Sequence, residues 1–261
     1  KITDGKYYKL TSFTLEAIYA GNNVGVTKSN RVYASQSVLS SGQWYKVGLT
    51  STGIYKIDYS QMQQMGIDVA SINPNNIRVY GNGVGQLTYK NSDKRIDDLM
   101  QNCIYVHGSS DGVFDPQDYI LFYGKGPHAV NYNESLKSFY HAQNVYSDTS
   151  YYFINVDLGP GLRILPNTAY STFDTLIQSF THFSFYEKDF RNFLKSGREW
   201  YGDEYNTTLS YEYNFFIPNR VPNELIKLKC GLLSRSVGQS SSFNVSQNGT
   251  LITTHSIPTV L

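Results

Sequence analysis

The chain has 261 residues, with 22 lysines and arginines against 21 aspartates and glutamates and a formal net charge of +1. Because nucleic acids and anionic membranes are held by clustered Lys and Arg, this balance gives no reason to expect either as a partner. Hydrophobic residues make up 40% of the chain and aromatic residues 15%. Such a composition favours a folded, tyrosine-rich globular protein over a disordered one.

Two further features of the sequence concern its compartment. No apolar run approaches the roughly 18 residues that a membrane-spanning helix needs, so we expect no transmembrane segment. The two cysteines, Cys103 and Cys230, lie far apart, with neither Cys-x-x-Cys nor Cys/His metal spacing. We therefore predict that both are buried, reduced and packed as small apolar side chains.

Alternating apolar and polar residues predict strands along the first part of the chain. Residues 44–49 and 53–58 alternate around a turn at 50–53, which predicts a β-hairpin. Further alternating or apolar runs predict strands at residues 77–80, 103–106, 119–123 and 151–156.

One short helix is predicted among these strands. Ser60 can cap the first turn of the stretch that follows it, and Gly66 can end it. Met62 and Met65 lie three positions apart and are expected to pack into the core.

Turn-forming residues at 158–172 interrupt the strand pattern, and we place a domain boundary there, between residues 1–165 and 166–261. Beyond it, alternation predicts strands at 181–187, 208–216, 224–230 and 241–246, with a hairpin turn at Asn248-Gly249. Together these patterns predict a mainly β fold, an antiparallel β-sandwich or barrel-like arrangement with one short helix. The second segment supplies few strands for a jelly-roll-like sandwich, so we expect it to be truncated.

The motifs that carry common enzyme chemistry are weak in this sequence. The five histidines are scattered and accompany no Gly-x-Ser-x-Gly elbow or other nucleophile signature. The glycine-rich stretch at 81–85 lacks the Lys-Ser/Thr of a phosphate-binding loop, and we interpret it as a turn. No residue is therefore predicted to be catalytic.

One acidic loop is a candidate metal site. Asp111, Asp115 and Asp118 lie within eight residues, around a glycine and a proline. Calcium binds such oxygen-rich turns, and a structural Ca²⁺ is the one cofactor that the sequence suggests. The alternative is that the three carboxylates form turns between two strands by accepting backbone N–H groups.

A second loop, at residues 196–204, is a candidate interface. It carries Trp200 and Tyr201 beside Arg198 and three acidic residues. Tryptophan and arginine are enriched at protein–protein hot spots, so these three residues could dock another domain. Exposed aromatic rings on a β-sandwich could equally stack on sugars, which keeps a carbohydrate-binding or adhesin-type surface module open as an alternative.

Five stretches, taken together and in this order, resemble the N-terminal region of the gingipain-like cysteine peptidases that act as sortases of the type IX secretion system. They extend from residue 38 to about residue 204 and lie at 38–57, 76–83, 97–99, 111–124 and 197–202. The resemblance rests on these five stretches and not on composition or periodicity.

The resemblance implies a location and a set of partners. Such sortases work at the bacterial cell surface, associated with the outer membrane, where they cut C-terminal signals from cargo proteins and attach the cargo to lipopolysaccharide. Their Cys and His lie in a peptidase domain that follows a β-rich region, and nothing here matches it. The expected partners are therefore a C-terminal peptidase domain of the same chain, secreted cargo and other secretion components.

Overall fold

The computed structural model describes residues 2–3, 6–7, 33–83, 85–90, 92–167, 172, 175–193 and 195–260. Residues 1–36 and 37–261 form two separate compact units. In the first unit, β1 (Ile2–Thr3) pairs antiparallel with β2 (Lys6–Tyr7). The predicted boundary at residue 165 stays a prediction.

The second unit is mainly β, as predicted. Its described residues form one α-helix, α1 (Tyr59–Gln64), and eleven strands. These strands are β3 (Trp44–Leu49), β4 (Gly53–Asp58), β5 (Arg78–Tyr80), β6 (Gln101–Asn102), β7 (Tyr105–His107), β8 (Tyr119–Gly124), β9 (Ala129–Asn133), β10 (Ser138–Ala142), β11 (Ser150–Asn155), β12 (Ser241–Gln247) and β13 (Thr250–Ile257). Short 3-10 turns lie at Val38–Ser40, Val69–Ser71 and Pro74–Asn76.

The strands pair antiparallel and form two sheets and two separate hairpins. One sheet has four strands in the order β3-β11-β5-β6, and the other has three in the order β4-β8-β7. The hairpins are β9–β10 and β12–β13. None of the sheets formed by the described residues closes into a barrel.

The core lies between the two sheets. Phe122 on β8 and Tyr152 on β11 are almost fully buried, and their ring centroids lie 5.5 Å apart across the interface. Met62 is completely buried and Met65 packs against the same cluster, which confirms their predicted place in the core. Burial of these apolar side chains is what holds the two sheets face to face.

The predicted hairpin at residues 44–58 is wrong, although both of its strands exist. β3 pairs with β11 and β4 pairs with β8, so the chain crosses from one sheet to the other between them. Leu49 and Ile57 enter the shared core from opposite sheets. The Tyr55 hydroxyl donates to the carbonyl of Ser51 at 2.7 Å and braces the crossing.

Helix α1 begins two residues earlier than predicted, because Asp58 and not Ser60 is its cap. The Asp58 carboxylate accepts the backbone N–H of Gln61 at 2.9 Å, and the Gln61 side chain accepts the N–H of Asp58 at 3.0 Å. This capping box lowers the pKa of Asp58, chiefly through the Gln61 N–H. Gly66 ends the helix as predicted, with a φ of +86° that favours glycine.

The prediction of buried cysteines is wrong, because Cys103 and Cys230 are both exposed and free. Cys103 precedes Ile104, which is completely buried, and the alternation of side chains along an extended chain then turns the cysteine outward. Cys230 lies in the stretch 224–230, which forms no strand and whose residues are all exposed.

The three strands predicted between residues 181 and 230 are also wrong. Residues 181–187, 208–216 and 224–230 have no strand assignment. A strand needs a neighbouring backbone to pair with. In the described part of 175–240, the β-type backbone pairing is an isolated bridge between Arg191 and Tyr201. The hairpin around Asn248-Gly249 is confirmed as β12–β13.

Candidate functional site

The acidic loop at 108–118 is held by its own carboxylates. Asp118 is only 6% exposed, and its carboxylate accepts the backbone N–H of Asp115 at 2.8 Å. The Asp111 carboxylate accepts the N–H of Val113 at 3.0 Å. Gly108 has a φ of +80° and lies so close to the Asp118 carboxylate that a Cβ there would overlap it. These contacts agree with the turn-forming interpretation of the loop.

Metal binding at this loop stays a prediction. Among the residues that the structure describes, no three His, Cys, Asp or Glu side chains are grouped so that they could hold a metal ion. The carboxylates of Asp111 and Asp118 are directed instead at backbone N–H groups.

We expect Asp118→Ala to destabilise the protein equally with and without calcium. The substitution removes the charged acceptor of the Asp115 N–H, and a hydrogen bond to a charged group contributes about 1.5–3 kcal/mol. The measurement is the melting temperature of wild type and variant in calcium chloride and in EDTA. A melting temperature that rises with calcium in the wild type but not in Asp118→Ala would instead establish a calcium site.

The second candidate site is a groove with a volume of about 530 Å³. It contains all three residues singled out in the 196–204 loop, namely Arg198, Trp200 and Tyr201. The remaining walls come from residues 85–89, from the β9–β10 hairpin and the residues beside it, and from Glu187 and Asp189. The structure therefore joins the predicted interface residues to parts of the chain that are distant in sequence.

The loop that carries these residues is fixed at its base. The backbone N–H of Arg191 donates to the carbonyl of Tyr201 at 2.9 Å, and the N–H of Tyr201 donates back at 2.8 Å. The Trp200 indole N–H donates to the Gly197 carbonyl at 3.3 Å. The Arg198 guanidinium lies 5.0 Å from the ring centroid of Tyr89, in cation–π geometry.

Another wall of the groove is the β9–β10 hairpin, which the sequence did not lead us to predict. Ala129 lies directly opposite Ala142 in the ladder, and Asn131 follows two residues after Ala129 on the same face. All three line the groove. The short alanine side chains leave space there, and this stretch of sequence carries no motif that indicates it.

The opposite face of the hairpin packs on the stretch 183–187. The imidazole of His141 stacks on the ring of Phe185, with centroids 3.8 Å apart, and its Nδ1 lies 2.5 Å from the Glu187 carboxylate. The ring of Phe139 lies 6.1 Å from that of Phe183. These contacts position Glu187 at the edge of the groove.

Carboxylates outnumber cationic groups among the residues that line the groove. Among the described residues, Glu187, Asp189 and Glu199 line it together with a single arginine, Arg198. Burial, and next the charge of Glu187, raises the pKa of Asp189 above its ordinary value. The groove is therefore unsuited to an anionic ligand.

A contact between a histidine and a serine in the described residues resembles a nucleophile–base pair. His182 Nε2 lies 2.9 Å from the Ser184 hydroxyl, but both side chains are exposed and only two positions apart. In the described part of the chain, no carboxylate contacts the other imidazole nitrogen of His182. Such a carboxylate orients the base in serine hydrolases, so this pair gives no basis for a catalytic assignment.

The described residues include no helix that is long and apolar enough to span a membrane. No protein-family model matches the chain, and no curated protein matches it. Among solved structures, the crystal structure of dimeric latent PorU from Porphyromonas gingivalis is similar, with 26% sequence identity and a TM-score of 0.42. The match covers 56% of this chain and 12% of that one, so it spans a small part of PorU.

Proposed function

We propose that this chain is a non-catalytic, β-rich region of a cell-surface sortase of the type IX secretion system. In this proposal the groove at Arg198, Trp200 and Tyr201 contacts cargo or another secretion component. The observation that carries the proposal is where the five stretches that resemble this family lie in the structure. Four of them build the fold, and the fifth lines the groove.

The first two fold-building stretches supply strands to both sheets. Residues 38–57 contain β3 and most of β4, which belong to different sheets. Residues 76–83 contain β5 and the glycine-rich turn after it. That turn packs on the buried ring of Tyr152, as the contacts of Gly81 show. The absence of a side chain at Gly81 permits this close packing.

The other two fold-building stretches fix loops to the sheets. In 97–99, the Asp98 carboxylate accepts the N–H of Val38 at 2.7 Å and the hydroxyl of Ser37 at 2.9 Å. The backbone N–H groups of Val38 and Leu99 lower the pKa of Asp98. The stretch 111–124 contains the acidic loop and β8.

The fifth stretch, 197–202, differs from the other four because its residues line the groove. Trp200 is 38% exposed, and it lines the groove together with Arg198, Glu199 and Tyr201. Exposed aromatic and arginine side chains in a concave site are the usual contributors to binding energy at an interface. This supports a contact role for the groove beside the scaffolding role of the sheets.

In the whole protein, the chemistry belongs to a peptidase domain of the same chain. That domain removes C-terminal signals from cargo at the bacterial surface and joins the cargo to lipopolysaccharide. The region described here orients that domain or presents cargo to it. Consistent with this role, we expect residues 1–261 alone to hydrolyse no peptide.

The proposal predicts that groove variants impair cargo processing. In cells that produce the full-length protein, we expect Trp200→Ala combined with Arg198→Ala to leave cargo with its C-terminal signal attached. The reason is that the contact surface is lost while the sheets remain intact. The measurement is mass spectrometry of the C-termini of secreted cargo.

The matched control is Tyr123→Ala, since Tyr123 is an aromatic residue that is 56% exposed and lies outside the groove. Its cargo should be processed as in the wild type. Normal processing in the Arg198/Trp200 double variant, at wild-type protein levels, would contradict the proposed contact role.

A further inference from the structure

We infer that the groove binds a neutral saccharide. This inference goes beyond the proposed function, because it assigns the same groove a ligand class other than protein cargo. It is tested on the isolated chain, whereas cargo processing is tested in cells, so either can fail without the other.

The aromatic side chains of the groove suit a sugar ring. Tyr89 is 57% exposed, Trp200 is 38% exposed, and both line the groove with Tyr201. Aromatic rings offer large, rigid apolar faces, and the C–H face of a pyranose ring can stack on them. A volume of about 530 Å³ falls within the usual range for small-ligand sites, so the groove can take more than one sugar unit.

The polar side chains of the groove include both donors and acceptors. Asn131 offers an amide that can donate and accept, Glu199 offers a carboxylate that accepts, and Arg198 offers donors. Sugar hydroxyls donate and accept at the same atom, so they can bond to every member of such a mixed set. A cationic ligand would be attracted by the three carboxylates, so lysine-rich peptides are tested as the competing ligand class.

The net charge of the groove argues against an anionic glycan. Glu187, Asp189 and Glu199 would repel phosphate or carboxylate substituents, and Arg198 alone does not offset them. The same carboxylates disfavour a wholly apolar ligand, since it would remove water from them and offer no hydrogen bond in return. A neutral hydroxyl-rich ligand fits this combination of charge and aromatic surface.

The groove is also held in shape before any ligand arrives. His141 fixes the Glu187 carboxylate at 2.5 Å, and the Tyr201 backbone is fixed by the paired bonds to Arg191. The side chain of Gln86 donates to the Tyr89 hydroxyl at 2.6 Å. A site ordered in this way spends little free energy on rearrangement when it binds.

The test is a titration of the 261-residue chain with neutral trisaccharides: maltotriose, cellotriose, mannotriose and chitotriose. Trp200 and Trp44 are the only tryptophans. Trp44 packs at 5.1 Å on Tyr80, away from the groove, so a change in emission on binding reports on Trp200. We expect at least one of the four sugars to change the emission saturably and to give a matching calorimetric titration.

Variants locate the binding. Tyr89→Ala and Trp200→Ala should each weaken the affinity about tenfold, because a stacking face is lost. Ala142→Leu should block the groove, because its side chain would enter the space beside Ala129. The control Tyr123→Ala should bind like the wild type. Circular dichroism confirms that each variant is folded. If one groove variant does not fold, the other two still test the inference.

Three results would overturn the inference. The first is that none of the four trisaccharides binds at millimolar concentration. The second is binding that all three groove variants leave unchanged. The third is binding of lysine-rich peptides or of anionic lipopolysaccharide where the neutral sugars fail. Each of these results leaves the measurement of cargo processing in cells to decide the proposed function separately.

Discussion

Phe114→Ala is expected to destabilise the chain by about 3–5 kcal/mol, the range for removal of a buried aromatic ring. Phe114 lies in the acidic loop, is only 1% exposed and stacks on Tyr59 of helix α1 with centroids 6.3 Å apart. Its loss leaves a cavity between the loop and the helix. The measurement is the free energy of unfolding from a urea titration, with an unchanged m-value.

The same loop provides a matched control for this prediction. Val113 is the residue next to Phe114, but it is 47% exposed. Val113→Ala should therefore change the free energy of unfolding by no more than about 0.5 kcal/mol. Similar costs for the two variants would mean that Phe114 is not the apolar anchor of the loop.

Arg163→Ala is expected to cost about 2–3 kcal/mol, because several backbone carbonyls lose a charged donor at once. The guanidinium donates at 2.7–3.0 Å to the carbonyls of Pro74, Asn75 and Ile77. No carboxylate of the described residues takes part, and burial lowers the pKa of Arg163. Urea titration of the variant gives the loss directly.

Two further substitutions separate the geometry of Arg163 from its charge. Arg163→Lys keeps the charge but not the planar fork that reaches three carbonyls, so it should recover less than half of the lost stability. Arg220→Ala is the control, since Arg220 is exposed and donates to a single carbonyl, that of Glu224, at 3.2 Å. Full stability in Arg163→Lys would show that charge alone suffices.

The strands of the first part of the chain could be predicted, but their partners could not. Alternation identified β3 and β4, because a half-buried strand exposes every second residue. It did not reveal that they lie in different sheets, since the turn between them is equally compatible with a hairpin. The pairing is decided by β8 and β11, which lie more than 60 residues further along the chain.

The second part of the chain shows the limit of alternation as a signal. Residues 208–216 and 224–230 alternate as strands do, yet they are not paired with any described strand. An alternating pattern shows which face of an extended chain is apolar, but it does not show which strand will pair with that chain. The hairpin at Asn248-Gly249 was predictable because its turn residues and its two strands are adjacent in sequence.

The candidate site was predictable only in part. Arg198, Trp200 and Tyr201 stood out by residue type in a polar loop, and they do line one groove. The other walls were missed, because Tyr89 and the β9–β10 hairpin carry no motif of their own. Their role depends on tertiary packing, for which local sequence gives no signal.

The measurement that tests the central claim most directly compares two activities of the full-length protein carrying Trp200→Ala with Arg198→Ala. One is removal of C-terminal signals from cargo in cells, and the other is hydrolysis of a short peptide by the purified variant. The account predicts that cargo processing falls while peptide hydrolysis stays at the wild-type rate. Wild-type cargo processing would contradict it, and so would an equal loss of both activities, because these residues would then belong to the catalytic machinery.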